Sequence, residues 1–164
     1  SFPTRRSSDL SSVEGAAMAG AFGIACATDF LVTMSDAKYA LTETKIGLTP
    51  AQIAPYVIKR LGFSNAKRLM LMGTLFNGKK AFEMGMADYV ADNEIEFSEQ
   101  INSIKNQVNK CAPTAIGVTK KILNSHYNID AEEAALIFSN CVIHEEGLEG
   151  LASFFEKRKP YWNK

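Results

Sequence analysis

The stretch that decides the fold is residues 13–50, VEGAAMAGAFGIACATDFLVTMSDAKYALTETKIGLTP. Its opening, AAMAGAFGIACA (16–27), is mostly helix-competent, and glycines at 15, 20 and 23 imply backbone that approaches something closely. A helix is predicted from near Gly20 to just before Asp29. FLVTM (30–34) reads as a buried strand, and AKYAL (37–41) as a short strand after the turn at Ser35-Asp36. TETKIGLTP (42–50) reads as an irregular loop closed by Pro50, whose fixed φ suits the first turn of the helix that follows.

Outward from this stretch the chain turns helical. Residues 51–61 form one segment, and Ser64 or Asn65 can cap a second through about Met72. Asn77-Gly78 introduces KKAFEM, Gly85 stops it, and ADYVA (87–91) reads as a strand. Within 94–111, Phe97, Ile101, Ile104, Val108 and Cys111 recur at steps of four and three, an amphipathic helix. Pro113 starts a helix through about Ser125, Asp130 caps the next, and Gly147 and Gly150 loosen the join before LASFFEKRKP (151–160). The pattern is a short α/β piece followed by a helical C-terminal half. Three short strands without evident partners make an incomplete sheet, because an isolated pair is marginal in water.

Bulk properties bound the function. At 164 residues the chain is one domain's worth, with 46% hydrophobic and 22% charged residues. Eighteen basic and eighteen acidic side chains cancel, so neither nucleic acid nor an anionic membrane is indicated as a partner. Cys26, Cys111 and Cys141 show no metal-ligand spacing and read as free thiols of a reducing, cytoplasmic compartment. The longest apolar run, Ala16 to Ala27, has 12 residues, too few to span a bilayer.

Two positions could carry chemistry. At the start of the Gly20 helix, backbone N–H groups without intrahelical partners, backed by the helix dipole, favour a negatively charged oxygen. Glycine would let a substrate carbonyl approach, as an oxyanion hole requires. The plainer alternative is that the small residues only permit tight packing. A dinucleotide site fits less well, since the spacing is G-x4-G-x2-G with no strand read before it. The second position is Glu43, which follows a strand and precedes a glycine. Its flanks Leu41, Ile46 and Leu48 are apolar and would desolvate the carboxyl group, a condition for acid/base work. His126 and His144 lack ligand spacing. Ser139 and Cys141 lack a readable histidine-acid arrangement, Tyr56 and Trp162 read as packing residues, and EKRK (156–159) as a solvated helix end.

Taken together, residues 13–50 resemble the central signature of the crotonase (enoyl-CoA hydratase/isomerase) superfamily. The family pattern runs V-x-G-x-A-x-G-G-G, a helix ending in A-x-x-x-D, a strand, A-x-F-x-x-x-E and G-x-x-P. Val13, Gly15, Ala17, the trio Ala19-Gly20-Ala21, Asp29, Ala37, Tyr39, Glu43, Gly47 and Pro50 hold those places. AKRLMLMGTLFNGKKAFEMGMADYV (66–90) and GLEGLASFFEKRKPYW (147–162) resemble later segments of the same pattern, so the likeness runs from 13 to 162.

The resemblance implies an α/β fold: the C-terminal part of a ββα spiral (11–92) followed by a helical oligomerisation region (93–164). It implies that the Gly20 N–H is one of two oxyanion donors for a CoA thioester and that Glu43 is the catalytic glutamate. Ala19 and Gly23 would line the substrate, and Phe154 and Lys157 would reach the CoA adenine and phosphates. No cofactor is implied, since acyl-CoA is the substrate, and the complete enzyme would be a trimer or a dimer of trimers. Archetypal hydratases place a second glutamate where this chain has Gly23. That departure, with PAQIAPYV (50–57), is similar to the hydratases of 3-methylglutaconyl-CoA and isohexenylglutaconyl-CoA. An enoyl-CoA isomerase and a non-catalytic CoA-binding homologue are the alternatives. The opening SFPTRRSSDL (1–10) does not resemble the family's region ahead of V-x-G. It matches the translation of a common sequencing adapter, so residues 1 to about 10 are expected to be adapter read-through on a truncated gene fragment.

Overall fold

The computed structural model describes residues 8–124 and 129–163, which form two compact units divided after Ser103. In the first unit the strands alternate between two sheets. β1 (Leu10–Val13) enters one sheet, β2 (Ala16–Met18) the other, and α1 (Gly20–Ala27) follows. The chain then repeats the cycle with β3 (Phe30–Met34), β4 (Lys38–Ala40), a 3-10 turn (Glu43–Ile46) and α2 (Ala54–Met72). β5 (Leu75–Asn77), α3 (Gly78–Glu83) and β6 (Tyr89–Ala91) complete it. The first sheet has the order β1-β3-β6, all parallel; the second is β2-β4-β5, with β2 parallel and β5 antiparallel to β4. Leu10 lies opposite Phe30 and Ala16 opposite Lys38, so each cycle adds one strand to each sheet. This is a ββα spiral.

The expectation of unpartnered strands is therefore corrected: β3, β4 and β6 find partners within this chain in β1, β2 and β5. Alanine-rich Ala16–Met18 becomes a strand because it pairs in parallel with Lys38–Ala40, a tertiary preference that overrides local propensity. Leu10 is the first residue of β1, and the Asp9 carbonyl accepts from Asp29 N (3.0 Å) and Phe30 N (3.1 Å). The boundary drawn after residue 10 thus falls inside a strand.

β3 is buried along Leu31, Val32 and Thr33, the continuous burial of a parallel strand covered on both faces. Around Phe22, Leu31, Tyr39, Leu41, Val57 and Met86 the core closes. Phe22 meets Tyr39 and Phe76 edge-on at 6.2 and 6.0 Å, while Tyr39 stacks on Phe76 at 5.6 Å. The one hydroxyl this cluster buries is paired: Tyr39 donates to Thr33 Oγ1 at 2.7 Å. Arg60 ties α2 to the rest of the unit through the Met86 carbonyl (2.8 Å) and Asp88 (2.6 Å). Asp88 also accepts from Leu31 N at 2.7 Å. The two helices expected over 51–72 are present: α2 is two helical segments that meet at Gly62, whose φ of 71 and ψ of 162 lie outside helical space.

The division between the units falls within α4 (Glu94–Val108). The second unit holds α5 (Pro113–Asn124), α6 (Ala131–Ile143) and α7 (Glu145–Phe155). Asp130 caps α6 by accepting from Glu133 N at 2.8 Å, as the sequence implies. Glu146 receives the Thr114 N–H (2.9 Å) and hydroxyl (2.9 Å) at the first turn of α5. Gly147 and Gly150 do not loosen the join; both lie within α7. A side chain at 147 would collide with the Cys141 carbonyl, and Gly150 faces the Trp162 ring, 3.6 Å from where a Cβ would stand. No helix among the described residues is long and apolar enough to cross a membrane.

Candidate active site

The site is built by the parallel pair β2 and β4. Met18 lies opposite Ala40, and Ala19 N donates to the Ala40 carbonyl at 3.1 Å, so both strands end at one sheet edge. From that edge one strand turns directly into α1 at Gly20, and the other leads through Leu41 and Thr42 into the turn that begins at Glu43. Crevices outside the carboxyl ends of parallel strands are where α/β sheets commonly place ligands.

The strand-to-helix turn is made by Ala19 at φ 48 and ψ −119, a conformation L residues rarely adopt. Both its polar backbone groups are held: its N–H by Ala40, and its carbonyl by Gly23 N at 3.2 Å. The N–H groups of Gly20, Ala21 and Phe22 are therefore the first-turn donors without an intrahelical acceptor. Gly20 is exposed, and a Cβ there would meet nothing within 4 Å. The geometry thus separates two readings that the sequence left together. Gly20 is open; Gly23 is the packing glycine, buried, with Ile53 directly above it. Gly15, like Gly20, has no protein atom within 4 Å of a would-be Cβ, which corrects the expectation of close approach at all three.

Glu43 opens the 3-10 turn, a short helix in place of the expected irregular loop. Its carbonyl accepts from Leu48 N at 3.0 Å, and Gly47 closes the turn in the left-handed region at φ 78. Thr44 anchors the turn by donating its hydroxyl to the Met70 carbonyl at 3.0 Å. Glu43 Oε2 is buried and, among the described residues, lacks a hydrogen-bond partner. Buried polar atoms without partners are rare in folded proteins and cost about 1–3 kcal/mol each. Of the flanks expected to desolvate the carboxyl, Leu41 is buried, whereas Ile46 and Leu48 are 73% and 60% exposed.

Of the remaining candidates, Phe154 and Lys157 belong to the second unit. Phe154 is 77% exposed at the end of α7, edge-on to Phe155 at 5.7 Å. Lys157 takes φ 54, with its N–H on the Phe154 carbonyl at 3.3 Å. Within EKRK, Arg158 is engaged by both oxygens of Glu149 (2.6 and 2.7 Å) and by Glu156 (2.5 Å). His144 is a cap, its Nδ1 accepting from Glu146 N at 3.3 Å, and Ser139 donates to the Ala135 carbonyl at 2.8 Å. His126 lies outside the described residues. No cluster of metal-ligating side chains occurs among the described residues. The sequence reading missed Ile53 and Arg60. The isoleucine that follows Pro50 by three in PAQI was the one signal for Ile53; Arg60 had none.

Burial pushes the Cys26 thiol up to about 12, against the opposing pull of Arg60, so this core cysteine stays protonated and inert. The second unit contains a cavity of about 550 Å³ between α5, α6 and the start of α7, lined by Val118, Ile122, Ile129 and Ile137 among others.

Comparison with known proteins identifies the family. Residues 8–164 match the family model described as Enoyl-CoA hydratase/isomerase. A protein of Thermus thermophilus named for enoyl-CoA hydratase is 31% identical over 155 residues, which are 92% of this chain and 61% of that protein. The carnitinyl-CoA dehydratase of Proteus mirabilis is 27% identical over 162 residues, covering 93% of this chain and 62% of its own length. The crystal structure of an enoyl-CoA hydratase/isomerase from Marinobacter aquaeolei superposes with a TM-score of 0.93 at 34% identity, covering 98% of this chain and 62% of that one. The chain thus spans less than two thirds of the length of these relatives. The spiral of two sheets, the helix opening at Gly20 and the family match over residues 8–164 lead to one assignment: the chain belongs to the enoyl-CoA hydratase/isomerase family.

Proposed function

We propose that this chain carries the acid/base carboxylate and one oxyanion donor of an enoyl-CoA hydratase-type lyase, which adds water across the C2–C3 double bond of a 2-enoyl-CoA thioester. One observation carries the reading: Glu43 buries an unpartnered carboxyl oxygen on the loop that leaves the same sheet edge as the open first turn at Gly20. In this account the Gly20 N–H holds the thioester oxygen. Glu43 takes a proton from water as the water oxygen bonds to C3, and the resulting enolate is held at the helix start. Protonation at C2 gives the 3-hydroxyacyl thioester. An oxyanion donor of this kind contributes about 3–4 kcal/mol to transition-state stabilisation.

The similarity to a dehydratase supports hydration–dehydration chemistry over double-bond migration. We assign as substrate a glutaconyl-CoA such as 3-methylglutaconyl-CoA, whose own carboxylate would take over part of the work of the glutamate that Gly23 replaces. Ala19 shapes the turn beside the thioester. Phe154 and Lys157 would meet the CoA adenine and phosphates, the lysine as a mobile point charge. Residues 11–92 form the spiral core and 93–164 the region through which trimers, or dimers of trimers, assemble. The three unpaired cysteines suit a cytoplasmic setting. The test is turnover by the full-length protein: 3-methylglutaconyl-CoA should be hydrated far faster than uncharged 2-butenoyl-CoA. Equal rates on the two would remove the substrate assignment.

A further inference from the structure

The loop that begins at Glu43 ends at Ile53, and Ile53 is what stands over Gly23. A Cβ at position 23 would overlap Ile53 Cγ2 and lie 2.6 Å from Ile53 Cβ. Neither side of this contact is free to yield. The Ile53 N–H donates to the Pro50 carbonyl at 3.1 Å, and its own carbonyl accepts from Tyr56 N (3.0 Å) and Val57 N (3.1 Å) as α2 begins. Its β-branch leaves little χ1 freedom, and the side chain packs against the core. Opposite it, Gly23 is buried and its N–H is fixed on Ala19, the residue that sets the turn into α1.

We infer that Ile53 is the residue that makes this a one-carboxylate site. It fills the volume over Gly23, holds that face of α1 to glycine, and leaves Glu43 as the only carboxylate supplied by α1 and the 43–53 loop. The inference rests on the hydratase reading for its chemical meaning but not for its packing. With no second carboxylate at 23, the proton released when the water oxygen bonds to C3 sits on Glu43. It must return to C2 from there or through the substrate's own acid group. The two hydrogens and the oxygen of one water are thereby accounted for.

The experiment combines stability and turnover in the full-length protein. Gly23→Ala alone should lower Tm by roughly 5 °C through overpacking. Most of that loss should disappear when Ile53→Ala is combined with it, measured against Ile53→Ala alone. Additive losses would overturn the inference. For chemistry, Gly23→Glu/Ile53→Ala should hydrate 2-butenoyl-CoA at least tenfold faster than the parent. Its pH–rate profile should show a second titrating group, which a purely structural effect would not create. Gly23→Glu with Ile53 in place, folded and equally active, would refute the inference. A parent inert toward every 2-enoyl-CoA but with the Tm coupling intact would refute the hydratase reading, and leave Ile53's hold on position 23 standing.

Discussion

Replacing Glu43 by glutamine keeps the shape of the side chain and removes its capacity to carry a proton to and from substrate. The structure ties two opposite consequences to that change. Glu43 Oε2 is buried without a partner, an arrangement that costs about 1–3 kcal/mol, and more when the oxygen carries charge. The amide oxygen of glutamine is neutral and pays less desolvation in the same place. Glu43→Gln should therefore stabilise the first unit by about 1 kcal/mol, or roughly 2–4 °C in Tm for a chain of this size. Removing a positioned acid/base group should lower turnover by about 10²–10⁴-fold. Urea denaturation followed by circular dichroism reads the first effect, and hydration of a 2-enoyl-CoA by the full-length protein reads the second. A variant that is less stable than the parent, or that keeps full activity, would show that the buried oxygen is a structural acceptor and not a poised catalytic group.

Other perturbations follow from the same structure. Gly20→Ala should leave Tm unchanged or slightly raised, because a Cβ there meets no protein atom within 4 Å, while lowering kcat/KM by crowding the thioester; unchanged kinetics would remove Gly20 from the site. With the Cys26 thiol raised to about 12, the folded state keeps a proton that the unfolded chain releases above pH 9. Stability should fall by about 1.4 kcal/mol per pH unit between those values, and urea titrations of Cys26→Ala should lose that part of the slope. Tyr39→Phe removes the hydroxyl that donates to Thr33 and should cost about 1 kcal/mol in the same titrations, with no effect on KM.

How much could be read in advance depends on where each residue's determinant lies. α1, β3, α3 and the capped start of α6 were legible because their signals are local: a glycine at a helix start, a continuous apolar run, Asn77 accepting from Lys80 N at 2.9 Å, Asp130 accepting from Glu133 N. β1, β2 and β5 were not. LSSV, AAM and LFN carry weak strand propensity and become strands only through pairing with residues far along the chain. Glycine shows the same divide. The sequence marks positions 20 and 23 alike as close approaches, and 147 and 150 alike as a loosened join. In the structure Gly20 is open, Gly23 sits under Ile53, Gly147 against the Cys141 carbonyl and Gly150 under Trp162. Burial at the Glu43 carboxyl was expected from its apolar flanks, and one oxygen is buried, but of those flanks only Leu41 is itself buried while Ile46 and Leu48 are exposed.

The most direct test of the account follows the oxygen atom. The full-length protein would be incubated with 3-methylglutaconyl-CoA in water enriched in ¹⁸O, and the product's mass read by mass spectrometry. Addition of water at C3, driven by Glu43 and the Gly20 helix start, predicts a product heavier by one water and bearing ¹⁸O, formed by the parent about 10²–10⁴-fold faster than by Glu43→Gln. A product of unchanged mass with a migrated double bond, or ¹⁸O incorporation by Glu43→Gln at the parent's rate, would contradict it.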